Sequence, residues 1–254
     1  MSGEVALIDS GDGAISQLIR TATTLFDSPR FHPAALVGGL AVTVRLASVH
    51  RATNDIDTVS EGEDPRDLAL QHLGDRDAAE ANRIEVEGVK VDVMATWPLP
   101  DHSDELPEVD LDRLFVVGHR WALDSATPVV IDAVSPDGAV LESGEVIVAT
   151  VPALIACKLH AIADRKGPST SKRESDALDL VRLTTDLIRS ADGVQALRSA
   201  PFDLASLVAA EVERWFIHDA LRTARLANEA SAIHTRVDAS EVATVGQLLL
   251  DQLG

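Results

Sequence analysis

Residues 35–60 read ALVGGLAVTVRLASVHRATNDIDTVS, and the fold turns on how this stretch is divided. A short apolar run, 34–38, has the length of a buried strand and enters a Gly38-Gly39 turn. Apolar residues at helical spacing follow over 40–50. The period then drops to two in NDIDTVS, which predicts a second strand. Successive side chains of a strand alternate faces, so Asp55 and Asp57 point the same way and repel unless a cation lies between them.

Further along, the periodicity predicts a helix over 13–26, another near 65–73, and two strands in EVEGVKV joined at Gly88. The segment 98–109 is rich in Pro and acid and reads as a connector. Residues 111–123 carry no decisive pattern. Strands are expected at 128–133 and 144–149, and Val151-Pro152 opens a helix. From there the chain is helical in character, over 152–164, 173–190, 203–227 with a break, and 239–252. RKGPSTSKR (165–173) is a Gly-, Pro- and Ser-dense loop between two of these helices. The expected fold class is thus α/β (α+β): a core with a mixed sheet over residues 1–149, then a mainly helical C-terminal region over 150–254.

The 254 residues, nearly half of them apolar, suffice for a large core. No apolar run has the length of a membrane helix, and MSGEVALIDSGDG lacks the order of a secretory signal, so a cytoplasmic protein without membrane association is expected. The single cysteine, Cys157, excludes an internal disulfide or a Cys-rich zinc site and sits among apolar neighbours that suggest burial. The formal charge of -19 would repel polyanions. Residues 158–173 reverse it locally, with five Lys or Arg against one Asp, which suits a phosphate-bearing partner. The acidic runs at 61–67 and 101–112 read as solvated surface. His50, His102, His119 and His160 lack metal-ligand spacing and read as ordinary surface or core histidines. Five Phe, three Trp and no Tyr make a base-stacking platform improbable.

Chemistry is carried by carboxylates. Asp55 and Asp57 on one strand face suit a hard cation such as Mg2+, and Asp92 in VKVDVMA would be a third ligand if its strand neighbours theirs. A strand, Gly38-Gly39 and a helix N-terminus form an arrangement that can hold phosphate. Such a set fits phosphoryl or nucleotidyl transfer.

The run GGLAVTVRLASVHRATNDID resembles the signature of the nucleotidyltransferase superfamily (DNA polymerase beta-like). More narrowly, the Arg-x-Thr-x-Asp-Ile-Asp form at Arg51 to Asp57 resembles the AbiEii/MenT group of toxin nucleotidyltransferases. That group also carries a helical Lys and a downstream Asp. Lys158 matches the first, and Asp176 the second, with Asp179 one turn away as the alternative. The resemblance covers 35–60 and 152–183 well and the Asp92 region fairly. It implies that Asp55, Asp57 and Asp92 bind Mg2+ and act in catalysis, and that Gly38 and Gly39 cradle the phosphates of an NTP. It further implies that Lys158 neutralises the triphosphate while Asp176 orients Lys158 or the acceptor. Asp176 has an alternative as a partner of Lys172 or Arg173. Arg51 either touches substrate or steadies the strand-loop junction. By the same resemblance, residues 150–254 complete the active-site cleft, the acceptor is RNA with a tRNA 3′ end foremost, and the protein is a toxin opposed by a cognate antitoxin. The competing readings are a nucleotidyltransferase acting on a small molecule such as an aminoglycoside or on a protein hydroxyl, and a non-catalytic nucleotide-binding module.

Overall fold

A computed structural model describes residues 3–11, 13–62, 75–76, 82–165, 170–231 and 236–254. The helix expected near 65–73 and part of the loop 165–173 lie outside them. The chain divides into two compact units, Met1–Pro98 with Ala122–Thr150, and Leu99–Trp121 with Val151–Gly254.

The first unit is built on an eight-stranded mixed sheet in the order β1-β7-β8-β2-β3-β6-β5-β4. The strands are β1 (Gly3–Ile8), β2 (Ala34–Val37), β3 (Asp55–Glu61), β4 (Asp75–Arg76), β5 (Arg83–Val86), β6 (Val89–Thr96), β7 (Thr127–Val134) and β8 (Val140–Val148). The helix α1 (Ala14–Phe26) covers it, burying Ile15, Leu18, Ile19, Ala22, Leu25 and Phe26. Their spacing of three and four residues makes one apolar stripe, and truncating the fully buried Ile19 to Ala would cost about 2–5 kcal/mol. The start of α1 is held by Asp9, whose carboxylate accepts from the backbone N–H groups of Gly11, Gly13 and Ser16 and from the Ser16 hydroxyl. Burial pushes the Asp9 carboxyl up, but these hydrogen bonds outweigh it and leave it below the usual Asp range.

Several boundaries differ from expectation for local reasons. The diglycine does not precede a helix as a separate turn, because α2 (Gly38–Arg45) begins at Gly38 itself. This helix also ends five residues early. Ala47 takes a left-handed φ of 47°, while Ser48 N–H bonds to the Thr43 carbonyl and Ala47 N–H to that of Val44. That is a Schellman stop with Ala where Gly is usual, so its sequence signal was hidden. The hairpin at Gly88 matches expectation: Glu87 and Gly88 both have positive φ, 52° and 81°, as a two-residue type I′ turn requires. β1 was not anticipated; it is an edge strand parallel to β7.

The second unit is helical. It contains most of α3 (Asp110–Asp124), then α4 (Val151–Asp164), α5 (Thr170–Leu187), α6 (Ala191–Arg198), α7 (Leu204–Val212), α8 (Ala220–Ala230) and α9 (Ala239–Leu253). α3 occupies the segment without a decisive pattern. Its buried Leu114, Val117, Trp121 and Ala122 keep helical spacing, but Gly118, where a Cβ would lie 3.3 Å from that of Ala156, interrupts the stripe so that α4 can approach. The break in 203–227 is a π turn over Glu213–His218. α6 was not expected; Ser190 caps it by accepting from Gly193 N–H. Cys157 is buried, and burial pushes its thiol up to about 12. Among the described residues no helix is long and apolar enough to cross a membrane.

Candidate active site

β3 and β6 run parallel, with Asp57 directly beside Asp92 and Asp55 beside Lys90. β3 alternates as its sequence dictates: Ile56 and Thr58 are fully buried, whereas Asp55 and Asp57 are half-buried on the opposite face. The ligand oxygens of Asp55, Asp57 and Asp92 lie within 4.8 Å of one another. Carboxylates so close repel one another unless cations offset their charge.

On the other side of β3, Val37 pairs with Asp57. The next residue, Gly38, has φ 67°, and a Cβ there would fall inside the Asp57 carboxylate. Only glycine allows that approach. Gly39 is closed over by Arg51, whose guanidinium nitrogen would stand 2.6 Å from a Cβ at position 39. Arg51 Nη1 donates to the Ala52 carbonyl at 2.9 Å and to Thr53 Oγ1 at 3.3 Å. These bonds tie it to the loop that leads into β3.

Asp92 has a partner that the sequence reading missed. Arg83 on β5 lies opposite it in the β5–β6 hairpin, and its Nε and Nη2 donate to the two Asp92 oxygens at 2.7 and 2.8 Å. The signal was present. With a two-residue turn at 87–88, the pairing of Val86 with Val89 places residue 83 against residue 92.

Lys158, Asp176 and Asp179 form a cluster in the second unit. Lys158 Nζ is 2.8 Å from Asp176 Oδ1 and 2.9 Å from Asp179 Oδ2, and Arg165 Nε is 2.6 Å from Asp176 Oδ2. Lys158 and both aspartates are buried. Asp176 and Asp179 thus both grip the ammonium of Lys158. Asp176 pairs with Lys158 and Arg165, which are on or just beyond α4. Of the histidines, His50 and His119 are buried and His102 is exposed, while the rings of His119 and His160 pack at a tilt against Phe115.

The model of the family described as nucleotidyl transferase AbiEii toxin, type IV TA (toxin–antitoxin) system, matches residues 22–237. The chain belongs to the AbiEii nucleotidyltransferase toxin family. No curated protein matches it. Solved structures that match include the solution structure of the antibiotic-resistance factor ANT(2″)-Ia, at 18% identity and a TM-score of 0.46, covering 83% of this chain and 98% of that one. Another is the crystal structure of ANT(2″)-Ia in complex with adenylyl-2″-tobramycin, at 19% identity and a TM-score of 0.44, covering 79% of this chain and 98% of that one. As an AbiEii-family member the protein is an enzyme, a nucleotidyltransferase that moves a nucleoside monophosphate. The donor set of the site fits the divalent metal on which such transfer generally depends: three hard carboxylate oxygens converge with no sulfur or imidazole among them.

Proposed function

We propose that this AbiEii-family enzyme takes a nucleoside monophosphate from an NTP and joins it to the 3′ end of a tRNA, acting as a toxin that a cognate antitoxin protein restrains. The observation that carries the chemistry is the convergence of Asp55, Asp57 and Asp92 within 4.8 Å beside Gly38. In this reading the three carboxylates hold Mg2+. Bound there, Mg2+ would offset the charge of the triphosphate and of the departing pyrophosphate. The backbone N–H groups at Gly38 and Gly39, at the start of α2, would meet the phosphates, where the helix N-terminus favours negative charge. Asp92 also accepts the proton of the attacking hydroxyl, a role open to a carboxylate held at fixed orientation. The bonds of Arg51 to Ala52 and Thr53 favour its role in steadying the strand-loop junction. Lys158 enters as an oriented cation and Asp176, with Asp179, as the carboxylates that orient it.

A second acceptor class is favoured by one observation, the charge of -19, which attracts a cationic small molecule and repels RNA. One experiment separates them. Purified protein is incubated with Mg2+ and each α-labelled NTP in turn, together with cellular RNA, an aminoglycoside or a protein extract. A parallel reaction uses the Asp55→Ala, Asp57→Ala double variant. Label in a tRNA band with the wild type alone supports the proposal. Label on the aminoglycoside transfers it to the second class, whereas label on protein alone, or on no acceptor, rejects both.

A further inference from the structure

We propose that Arg83 decides which divalent cation the three-carboxylate site accepts, by limiting Asp92 to one ligand oxygen. The proposal rests on the reading that Asp55, Asp57 and Asp92 hold such a cation. Arg83 lies against Asp92 in a side-on fork, Nε to Oδ1 at 2.7 Å and Nη2 to Oδ2 at 2.8 Å. Both side chains are largely shielded, at 12% and 20% exposure, so water competes little with the pair. The fork is held in place by the register of the β5–β6 hairpin, which sets residue 83 opposite residue 92.

A carboxylate has one forward face, where the inner lone pairs of its two oxygens converge. A side-on guanidinium fills that face, and a cation chelated by both oxygens needs the same one. The two are mutually exclusive. What remains to Asp92 is one outer lone pair on each oxygen, and because these point away from each other a single cation can take only one of them. Mg2+ and Mn2+ are satisfied by single oxygens in six-fold coordination, whereas Ca2+ seeks six to eight oxygens and gains from a chelating carboxylate. Arg83 is therefore a positioning residue whose fork favours the smaller cations. Its removal opens the forward face of Asp92 and shifts the preference toward Ca2+.

The test uses the full chain without nucleotide and calorimetric titration with Mn2+ and with Ca2+, on wild type, Arg83→Met and Arg83→Lys. The quantity read is the ratio of the two affinities. Arg83→Met is expected to move it toward Ca2+ by about fivefold or more, since ligand number and rigidity tune Ca2+ affinity over several decades. Arg83→Lys, a point charge without a fork, is expected to move it the same way by about twofold, and it serves if Arg83→Met fails to fold. A structural role alone would weaken both cations together and leave the ratio where it stands in the wild type; that result overturns the proposal. Mn2+ binding that is absent in the wild type, or that survives Asp57→Asn, defeats the carboxylate reading itself and this inference with it.

Discussion

An alanine methyl at position 38 would land inside the Asp57 carboxylate, and Gly38 holds a left-handed φ of 67° as well. Gly38→Ala is therefore expected to cost about 1–3 kcal/mol of stability through backbone strain. It should also push Asp57 out of the cluster, lowering Mn2+ affinity in calorimetry by at least about tenfold, the scale of effect seen when metal-site geometry is disturbed. Unchanged Mn2+ binding in a folded Gly38→Ala protein would show that the close approach has no bearing on the site. Lys158 poses a different problem, because two buried carboxylates share its ammonium. Lys158→Met should cost about 3–5 kcal/mol in urea unfolding, as broken buried ion pairs do. Lys158→Met with Asp179→Leu should recover much of that, because Asp176 keeps Arg165. A single-variant cost below about 1 kcal/mol, the scale of a surface pair, would contradict a structural role for the cluster.

Between the elements α3 and α4 the ring of His119 is buried against Phe115 and His160, and its Nδ1–H donates to the Phe115 carbonyl. Burial pushes His119 down to about 4, with His160 adding to the effect, and burial lowers His160 too, against the pull of Asp164 and Asp112. The unfolded chain takes up this proton near pH 6.5 and the folded chain only near 4, so stability is level above about pH 6.5 and falls as the pH drops toward 4. The loss should reach on the order of 3 kcal/mol. Urea midpoints at pH 7.5 and 4.5 for wild type and His119→Gln check it, and equal pH slopes in the two proteins would refute it. This contact was invisible in the sequence because nothing local says that residues 119 and 160 meet. By contrast, the alternation in NDIDTVS and the turn at Gly88 were legible, since each element announces itself through its own period. The carboxylate cluster was legible for the same reason once β3 and β6 were taken as neighbours. Arg83 was overlooked although the hairpin register placed it, and the early stop of α2 was masked by an Ala doing the work usual for Gly.

At the scale of the whole molecule the formal charge of -19 has to be reconciled with a polyanionic acceptor. The stretch 158–173 contains five Lys or Arg, but Lys158 and Arg165 are turned onto Asp176 and Asp179. Five minus two leaves at most three cations of that stretch for phosphate, of which Lys166 lies outside the described residues. Counting charges along the chain overstated the patch, because sequence does not reveal which cations are neutralised internally. Each phosphate neutralised by a protein cation contributes about -0.7 to -0.9 to the slope of log affinity against log salt. If these three hold the tRNA, the slope should be no steeper than about -3, and the remaining surface should repel the nucleic acid at low ionic strength. Anisotropy of a labelled tRNA in KCl from 50 to 300 mM, a span of about the range over which such slopes are read, measures it directly. A slope near zero would mean that phosphate contacts from this stretch contribute nothing, and the cationic small-molecule acceptor would then gain ground. A slope much steeper than -3 would require a basic surface elsewhere on the chain, which its excess of acid, 41 Asp and Glu against 22 Lys and Arg, opposes.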